Sequence, residues 1–362
     1  MRTDIAIVGA GIAGATLAAE LAPHARVVLL EAEDLPGVHA TGRSAAFWSE
    51  TYGGAEIQPL TTASGPTLAP WLQPLGSLHI GRAADRALAD AFLAEFADSP
   101  VSLVEVDPAA HVPGIRADWT IGVLEPSCAY IDVAGLHADA LARARAGGAT
   151  LVTRAALRSG ERRGDRWRLD TTAGIVDAAM VVDAAGAWAD AVASACGVAP
   201  VGIQAYRRTL AQLRVDPPAP ADLPHVIDLA GSFYFKPESG GRLWLSPHDE
   251  TSTDPCDAAP EEIDVALAID RLEHAVDWRV EAVERRWAGL RSFAPDRLPV
   301  YGWGAPGFFW CAGQGGFGIQ TAPAAARLAA ALLLGTSPDP AVAGIDPRRY
   351  SSRRFSGRCV LA

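Results

Sequence analysis

The chain has 362 residues, 49 % hydrophobic and 20 % charged, with a formal net charge of −11. That is the composition of a globular protein with a large core, long enough for two domains or one large one. The acidic balance argues against a nucleic-acid surface, which needs clustered positive charge. No uninterrupted apolar run is long enough to span a membrane; Leu328 to Leu334 falls far short. The cysteines, Cys128, Cys196, Cys256, Cys311 and Cys359, are scattered, odd in number and form no C-x-x-C pair. This predicts no zinc site and no disulfide framework, and it fits a reducing, cytoplasmic compartment. The first apolar run starts at Ile5, which leaves no room for a signal peptide before it.

Ile5 to Val8 is a continuous apolar run and predicts a buried parallel strand. Gly9, Gly11 and Gly14 follow at G-x-G-x-x-G spacing, Ile12 to Leu21 has helical composition, and Val27 to Leu30 is a second buried strand closed by Glu31. Each part has a mechanical role. Gly9 allows the tight turn, Gly11 lets the backbone approach a pyrophosphate, and Gly14 lets the helix pack on the strand. The helix start offers free N–H groups to phosphates. Glu31 stands where a carboxylate accepts from ribose hydroxyls, which favours FAD or NAD over NADP. The alternative is a glycine-rich strand–helix turn without a ligand.

Residues 34–54 are polar and rich in Gly and Ser, a loop able to run across a cofactor. The prolines in 59–75 predict short elements and turns. Arg82 to Phe96 and Gly135 to Ala146 carry helical spacing, the latter stopped by Gly147-Gly148. Thr150 to Thr153 and Trp167 to Asp170 read as strands around a Gly164-Asp165 turn. Ala179 to Asp183 is a buried strand leading into Ala184-Ala185-Gly186-Ala187-Trp188. From about residue 205 the pattern changes. Leu210 to Val215, Phe233 to Phe235 and Leu243 to Leu245 read as a mainly antiparallel sheet, and Glu261 to Val280 as an amphipathic helix. Phe308 to Ala312 is a buried strand running into a glycine-rich loop and a helix over Pro323 to Leu334. The order suggests a dinucleotide domain assembled from separate segments, with a second sheet inserted between them.

Four patches read together carry a resemblance: Gly9 to Gly14; Gly42-Arg43-Ser44; Ala184 to Trp188; and Trp287-Ala288-Gly289-Leu290-Arg291 followed by Gly313 to Gln320. From Thr3 to about Tyr350 the chain resembles the FAD-dependent D-amino-acid oxidase and dehydrogenase superfamily, and within it the bacterial D-arginine dehydrogenases most. The resemblance implies an α/β fold (α+β overall). A glutathione-reductase-like FAD-binding Rossmann domain (1–50, 135–204 and 288–345) would carry an inserted antiparallel-sheet substrate domain (51–134 and 205–287), with a basic tail over 346–362. It implies a noncovalent FAD held by Gly9, Gly11, Ile12, Ala13, Gly14, Glu31, Ala32, Thr41, Gly42, Arg43, Ser44, Ala45, Ala156, Ala184, Ala185, Gly186, Trp188, Gly289, Arg291, Gly315, Gly316, Phe317, Gly318, Ile319 and Gln320. The small residues of Ala184 to Trp188 let backbone lie against a flat ring. A helix beginning after the Gly315–Gly318 loop would aim its dipole at the pyrimidine edge of the flavin.

The resemblance also places Tyr52, Arg208, Tyr234 and Arg291 at catalytic, substrate-clamping positions, and Phe47, Trp48, Ser77, Gly316 and Gln320 in the pocket. Arginine forks pair bidentately with a carboxylate, and tyrosine hydroxyls add further bonds. Arg207 is expected to face solvent or phosphate, and the arginines of the tail (Arg348, Arg349, Arg353, Arg354 and Arg358) to be solvated. His79 and His248 flank pocket segments and read as structural.

Two departures bear on the substrate. Ser77 replaces an acid that pairs with the substrate guanidinium in D-arginine dehydrogenase, and Phe47 replaces a histidine. A cationic side chain buried without a partner costs several kcal/mol. The expected substrate is a neutral, apolar or aromatic D-amino acid, oxidised at its Cα–N bond by hydride transfer to the flavin and hydrolysed to a 2-keto acid and ammonia, with oxygen or a quinone-type molecule as electron acceptor. Glu50 could restore an acid from another position. The alternatives are the same chemistry on sarcosine, glycine, a cyclic imino acid or a biosynthetic intermediate, or a non-catalytic redox sensor. A sensor has no use for Arg208, Tyr234 and Arg291 together.

Overall fold

The computed structural model describes residues 1–355, so Arg358 and Cys359 lie outside it. The apolar run at the start becomes the centre of a sheet covered on both faces. The opening elements are β1 (Arg2–Val8), α1 (Ile12–Leu21) and β2 (Val27–Leu30). Successive side chains of a strand point to opposite faces. Ile5 and Ile7 therefore enter one core with Leu17 and Leu328, while Ala6 and Val8 enter another with Trp167, Leu169 and Val192.

β3 (Phe47–Trp48), α2 (Gln58–Leu68), β4 (Leu72–Pro74), β5 (Ser77–Arg82) and α3 (Arg86–Glu95) follow. Next come β6 (Val104–Val106), β7 (Trp119–Glu125), β8 (Ala129–Ile131), α4 (Val133–Ala146) and β9 (Thr150–Val152). β10 (Leu157–Arg163), β11 (Arg166–Thr171), β12 (Gly174–Asp183) and α5 (Ala189–Ala195) lead to the second half. That half holds β13 (Gln204–Asp216), β14 (His225–Asp228), β15 (Tyr234–Glu238), β16 (Arg242–Ser246) and β17 (Thr251–Thr253). It closes with α6 (Glu262–Glu273), β18 (Arg279–Phe293), β19 (Val300–Ala305), β20 (Phe308–Ala312), β21 (Gln314–Gly315) and α7 (Gly318–Leu334).

In the first sheet β9, β2, β1, β12 and β20 run parallel in that order, with β10–β11 and β19 as antiparallel additions. The second sheet, in the order β21-β18-β13-β16-β15-β14-β5-β7-β6 with β17 on β13, is mainly antiparallel, β14 and β5 being a parallel pair. β3, β8 and β4 form a third, small sheet. No helix among the described residues is long and apolar enough to cross a membrane.

Several sequence expectations need correction. The strand paired across the Gly164-Asp165 turn is β10, not residues 150–153; β9 instead lies parallel to β2. Residues 58–68 form an unbroken helix despite Pro59 and Pro66, because Pro59 falls in the first turn, where its missing N–H costs nothing. Buried Leu60, Ser64 and Leu68 give it a face against α7, where Ser64 Oγ accepts from Ala324 N at 3.1 Å. α7 begins at Gly318, so Pro323 is inside it. α6 ends at Glu273, and Val280 already belongs to β18. The division expected at 287/288 cuts β18, which belongs throughout to the second sheet. The basic tail is also anchored: Tyr350 is fully buried with its hydroxyl donating to Glu56 O at 2.8 Å, and Arg354 pairs with Asp296 at 2.6 Å.

Candidate active site

A cavity of about 910 Å³ lies between the two large sheets. At one end stands the glycine turn. Gly9 has φ +100°, and a Cβ there would sit 2.4 Å from Ala184 O; at Gly14 a Cβ would sit 1.9 Å from Gly9 O. Only glycine lets β1, α1 and the Ala184 segment approach so closely. Gly11 is the N-cap of α1, and Thr41 Oγ1 accepts from Ile12 N at 3.0 Å. Glu31 follows β2 directly, accepts from Ala10 N and Glu33 N at 3.0 Å each, and still lines the cavity. His137, which the sequence reading passed over, supports the turn from beneath through Nε2 and Ala10 O at 2.8 Å.

Ala13, Ala32, Arg43, Ser44, Ala45 and Ala156 extend this wall, as do Ala184, Ala185, Gly186 and Trp188. Gly289, Gly315, Gly316, Gly318, Ile319 and Gln320 stand opposite, so α7 starts at the cavity. A helix N-terminus, a carboxylate after the second strand and a long, small-residue wall together fit an FAD, which these residues would hold. Gly14, Gly42 and Phe317 are not on the cavity wall. Gly14 serves helix packing, Gly42 N donates to Gly37 O at 2.8 Å, and Phe317 packs edge-on against Tyr52 with ring centroids 6.1 Å apart.

The other end is built on the β13–β18 pair. Tyr206 lies opposite Arg291 and Arg208 opposite Gly289, so both arginines share the cavity face. Arg207 projects from the other face to Glu261 and Asp264, which corrects its expected exposure to solvent or phosphate. Arg208 Nε donates to Asp249 O at 2.8 Å, and Arg291 Nη1 donates to Tyr52 Oη at 3.1 Å. Arg208 Nη2 and Arg291 Nε are buried with no hydrogen-bond partner. Tyr234 completes this end, 5.8 Å beneath the Arg208 guanidinium. Burial opposes ionisation of Tyr52, but the Arg291 and Arg208 charges outweigh it and hold its hydroxyl below the ordinary phenol value. Gly316 closes the corner: a Cβ there would meet Tyr52 Oη at 2.0 Å.

Tyr52 is held in place through its backbone. Gln320 Nε2 donates to Tyr52 O at 2.9 Å, and Gln320 Oε1 accepts from Ser49 N at 3.2 Å. From the other side the fully buried Glu125 accepts from Ser49 Oγ, Thr51 Oγ1 and Glu50 N at 2.8, 2.6 and 2.6 Å.

Three pocket expectations are not met. Trp48 turns away to donate to Thr61 O at 2.9 Å, Ser77 is fully buried outside the wall, and Glu50 is taken up by Ser127 at 3.0 Å and by Thr62. Phe47 does line the cavity. Sequence reasoning missed Glu250, which binds Arg291 and, at 2.8 Å, Arg297, and lies 3.7 Å from Arg208. It also missed His225, and α3 at the mouth. His79 and His248, read as structural, line the cavity with His225. Burial depresses all three: His79 to about 4, His248 to about 3 with help from Arg208 and Arg291, and His225 well below its ordinary value. Among the described residues no cluster of His, Cys, Asp or Glu could hold a metal ion.

Comparisons with known proteins agree with this geometry. Residues 4–332 match the family described as DAO, FAD dependent oxidoreductase, and the chain belongs to it. It is similar to glycine oxidase of Geobacillus kaustophilus, 26 % identical over 92 % of this chain and 93 % of that protein. The solved structure of a Geobacillus kaustophilus glycine oxidase superposes with a TM-score of 0.80, covering 94 % and 98 % of the two chains at 24 % identity. L-proline dehydrogenase from P. horikoshii superposes at 0.85, covering 98 % of each chain at 18 % identity. The chain is 28 % identical, over 90 % of its length, to the tRNA 5-methylaminomethyl-2-thiouridine biosynthesis bifunctional protein MnmC of Polaromonas sp., but spans only 56 % of that protein. The chain is thus an FAD-dependent oxidoreductase of this family.

Proposed function

We propose that this member of the FAD-dependent oxidoreductase family oxidises the Cα–N bond of a D-amino acid with a neutral side chain. The observation that carries the reading is the pair of buried guanidinium nitrogens without a hydrogen bond, Arg208 Nη2 and Arg291 Nε, at the cavity end where Tyr52 and Tyr234 also stand. Buried N–H groups of a charged fork call for an anionic acceptor, and a substrate carboxylate supplies one bidentately. FAD, when bound, supplies the two-electron acceptor chemistry.

The chain's own part is positioning. Arg208 and Arg291 fix the carboxylate, Tyr52 and Tyr234 limit its rotation, and the amine and Cα–H are then presented to the wall formed by Gly315, Gly316 and Ala45. Burial pushes His79, His225 and His248 towards the neutral form, which lessens their repulsion of a protonated amine. Ser77 is buried and Glu50 is occupied, so neither supplies the acid expected to pair with a cationic side chain. That supports a neutral substrate and weighs against D-arginine. The D configuration follows the resemblance to D-arginine dehydrogenases. A second reading, a glycine-like or secondary amine, is supported by the likeness to glycine oxidase over nearly the full length of both chains.

The test is anaerobic mixing of the flavin-loaded protein with D- and L-amino acids, glycine, sarcosine and proline while following flavin absorbance. Bleaching by apolar D-amino acids is expected. Bleaching confined to glycine, sarcosine or proline would move the assignment to the second reading. Bleaching by L-amino acids alone would remove the D configuration.

A further inference from the structure

The cavity continues past the arginine end into a lobe for which the reading above has no use. Its floor is the parallel pair β14–β5, where His225 lies opposite Ser77 and Ile227 opposite His79. Alternation along the strands puts His225, Ile227 and His79 on one face, and all three line the cavity. The His225 ring stacks on Phe47, with centroids 3.7 Å apart and planes 8° from parallel, and meets Tyr234 edge-on at 5.3 Å. His79 packs against Phe92 of α3 at 4.4 Å. Leu229 and Ala91 complete an otherwise apolar wall.

Within that wall three polar atoms have no protein partner: both ring nitrogens of His225 and Nε2 of His79. His225 is only 6 % exposed, and buried polar groups without partners are rare. A neutral imidazole carries one donor and one acceptor, so this lobe offers both. The nearby charges are already engaged. Asp228 accepts from Ala230 N and Ser232 N at 3.1 Å each, Glu95 accepts from Ala55 N at 2.9 Å, and Lys236 lies 3.3 Å from Glu238. An anionic tip would find no free cation here and would be costly to bury, and a buried cationic tip would need a carboxylate, which neither imidazole supplies.

We propose that this lobe receives a substrate side chain with an apolar body and an uncharged hydrogen-bonding tip, a hydroxyl, phenol or carboxamide, and that His225 and His79 determine this specificity. Phe47, Phe92 and Ile227 hold the body, and the two imidazoles read the tip. The proposal rests on the carboxylate clamp above, since the clamp fixes which end of the substrate reaches the lobe.

The experiment is calorimetric binding to the FAD-loaded protein of 3-phenylpropionate and 3-(4-hydroxyphenyl)propionate. These differ by one hydroxyl and carry no amine to oxidise. The hydroxylated ligand is expected to bind about 10-fold more tightly, the scale of one satisfied buried hydrogen bond. His225→Phe should abolish the preference while keeping 3-phenylpropionate binding, and His225→Gln, which keeps a donor and an acceptor, should restore part of it. Equal binding of the two ligands overturns the proposal. So does a preference that survives in the His79→Phe, His225→Phe double variant, and so does tighter binding of glutarate or 6-aminohexanoate, whose tips are charged. Failure of the clamp has a different signature: 3-phenylpropionate binding would be absent, or indifferent to Arg291→Lys.

Discussion

Glu125→Gln tests how the site is supported from outside the cavity. The carboxylate is fully buried and accepts hydrogen bonds from Ser49 Oγ, Thr51 Oγ1 and Glu50 N, with Ser127 Oγ at the longer distance of 3.5 Å. The first three donors belong to the segment that delivers Tyr52 to Arg291. Leaving a buried donor unsatisfied costs about 1–3 kcal/mol. Ser49 Oγ is 3.2 Å from Thr51 Oγ1, so the two hydroxyls can pair with each other, but Glu50 N cannot turn away. A carboxamide keeps one acceptor oxygen and places an NH₂ group against the remaining donors, so about 1–2 kcal/mol of destabilisation is expected; Glu125→Leu, which keeps no acceptor, should cost about 2–4 kcal/mol. Burial, with the Glu50 charge beside it, raises the Glu125 carboxyl above its usual range despite these hydrogen bonds. A raised folded pKa means the native state holds the proton more firmly. The stability this contributes is complete below the ordinary carboxyl value and is lost as pH rises through the folded one. The cost of Glu125→Gln should therefore shrink as pH rises from about 4 towards neutrality. Urea unfolding across pH measures this, and steady-state kinetics measures the consequence at Tyr52, a several-fold rise in KM for the amino-acid substrate. A variant that loses stability with KM unchanged would show that Glu125 does not position Tyr52. A variant with neither effect would refute the donor accounting itself.

Other substitutions probe the two ends of the cavity. Gly9→Ala sets a Cβ 2.4 Å from Ala184 O at φ +100°, so the variant should purify without FAD, and a full flavin spectrum would refute the reading of the turn. Glu250→Gln removes the carboxylate that competes for Arg291 and Arg208. Calorimetry should show carboxylate ligands binding about 3- to 10-fold more tightly, as expected for a partly exposed ion pair, and weaker binding would mean that Glu250 orients the clamp instead. His79 is held to about 4 against an ordinary 6.5, so the unfolded chain binds its proton first as pH falls. Stability should be complete above about 6.5 and fall by up to about 2 kcal/mol by pH 5 on this residue's account. His79→Phe should flatten the fall in urea midpoint between pH 7 and 5, and an unchanged slope would refute the burial of a neutral imidazole.

The cofactor end was legible because its parts are contiguous. Gly9, Gly11, Gly14 and Glu31 lie within one strand–helix–strand unit, and Ala184 to Trp188 follows directly on the strand that pairs with β1. Local chemistry and spacing are enough there. Where breakers are read without their positions, the same reasoning fails. Pro59 and Pro66 hid α2, although Pro59 falls in the first helical turn, where a proline removes no hydrogen bond, and Pro66 lies inside a helix that its packing against α7 holds together. The 287/288 boundary failed because strand pairing, not composition, decides to which sheet residues 279–293 belong.

The substrate end is a product of register. Arg208 and Arg291 share a face only because β13 and β18 pair so that Tyr206 meets Arg291, and no pattern in either segment states that pairing. One residue of slip between the two strands would turn one of the two arginines to the α6 side, where Arg207 now meets Glu261 and Asp264, and leave the other alone at the cavity. The same dependence explains why Ser77 and Glu50 misled. Matching a position to a family motif places a residue on a strand, but burial decides whether its side chain reaches the cavity. His225 is the converse case. Alone it is an unremarkable histidine at the start of a short strand. It becomes a wall of the cavity because β14 lies parallel to β5, which sets it beside the strand of His79, and because Phe47 from the small third sheet stacks on it. The walls of this end of the cavity are therefore set by pairings between strands distant in sequence, the part of a structure that local reading reaches least.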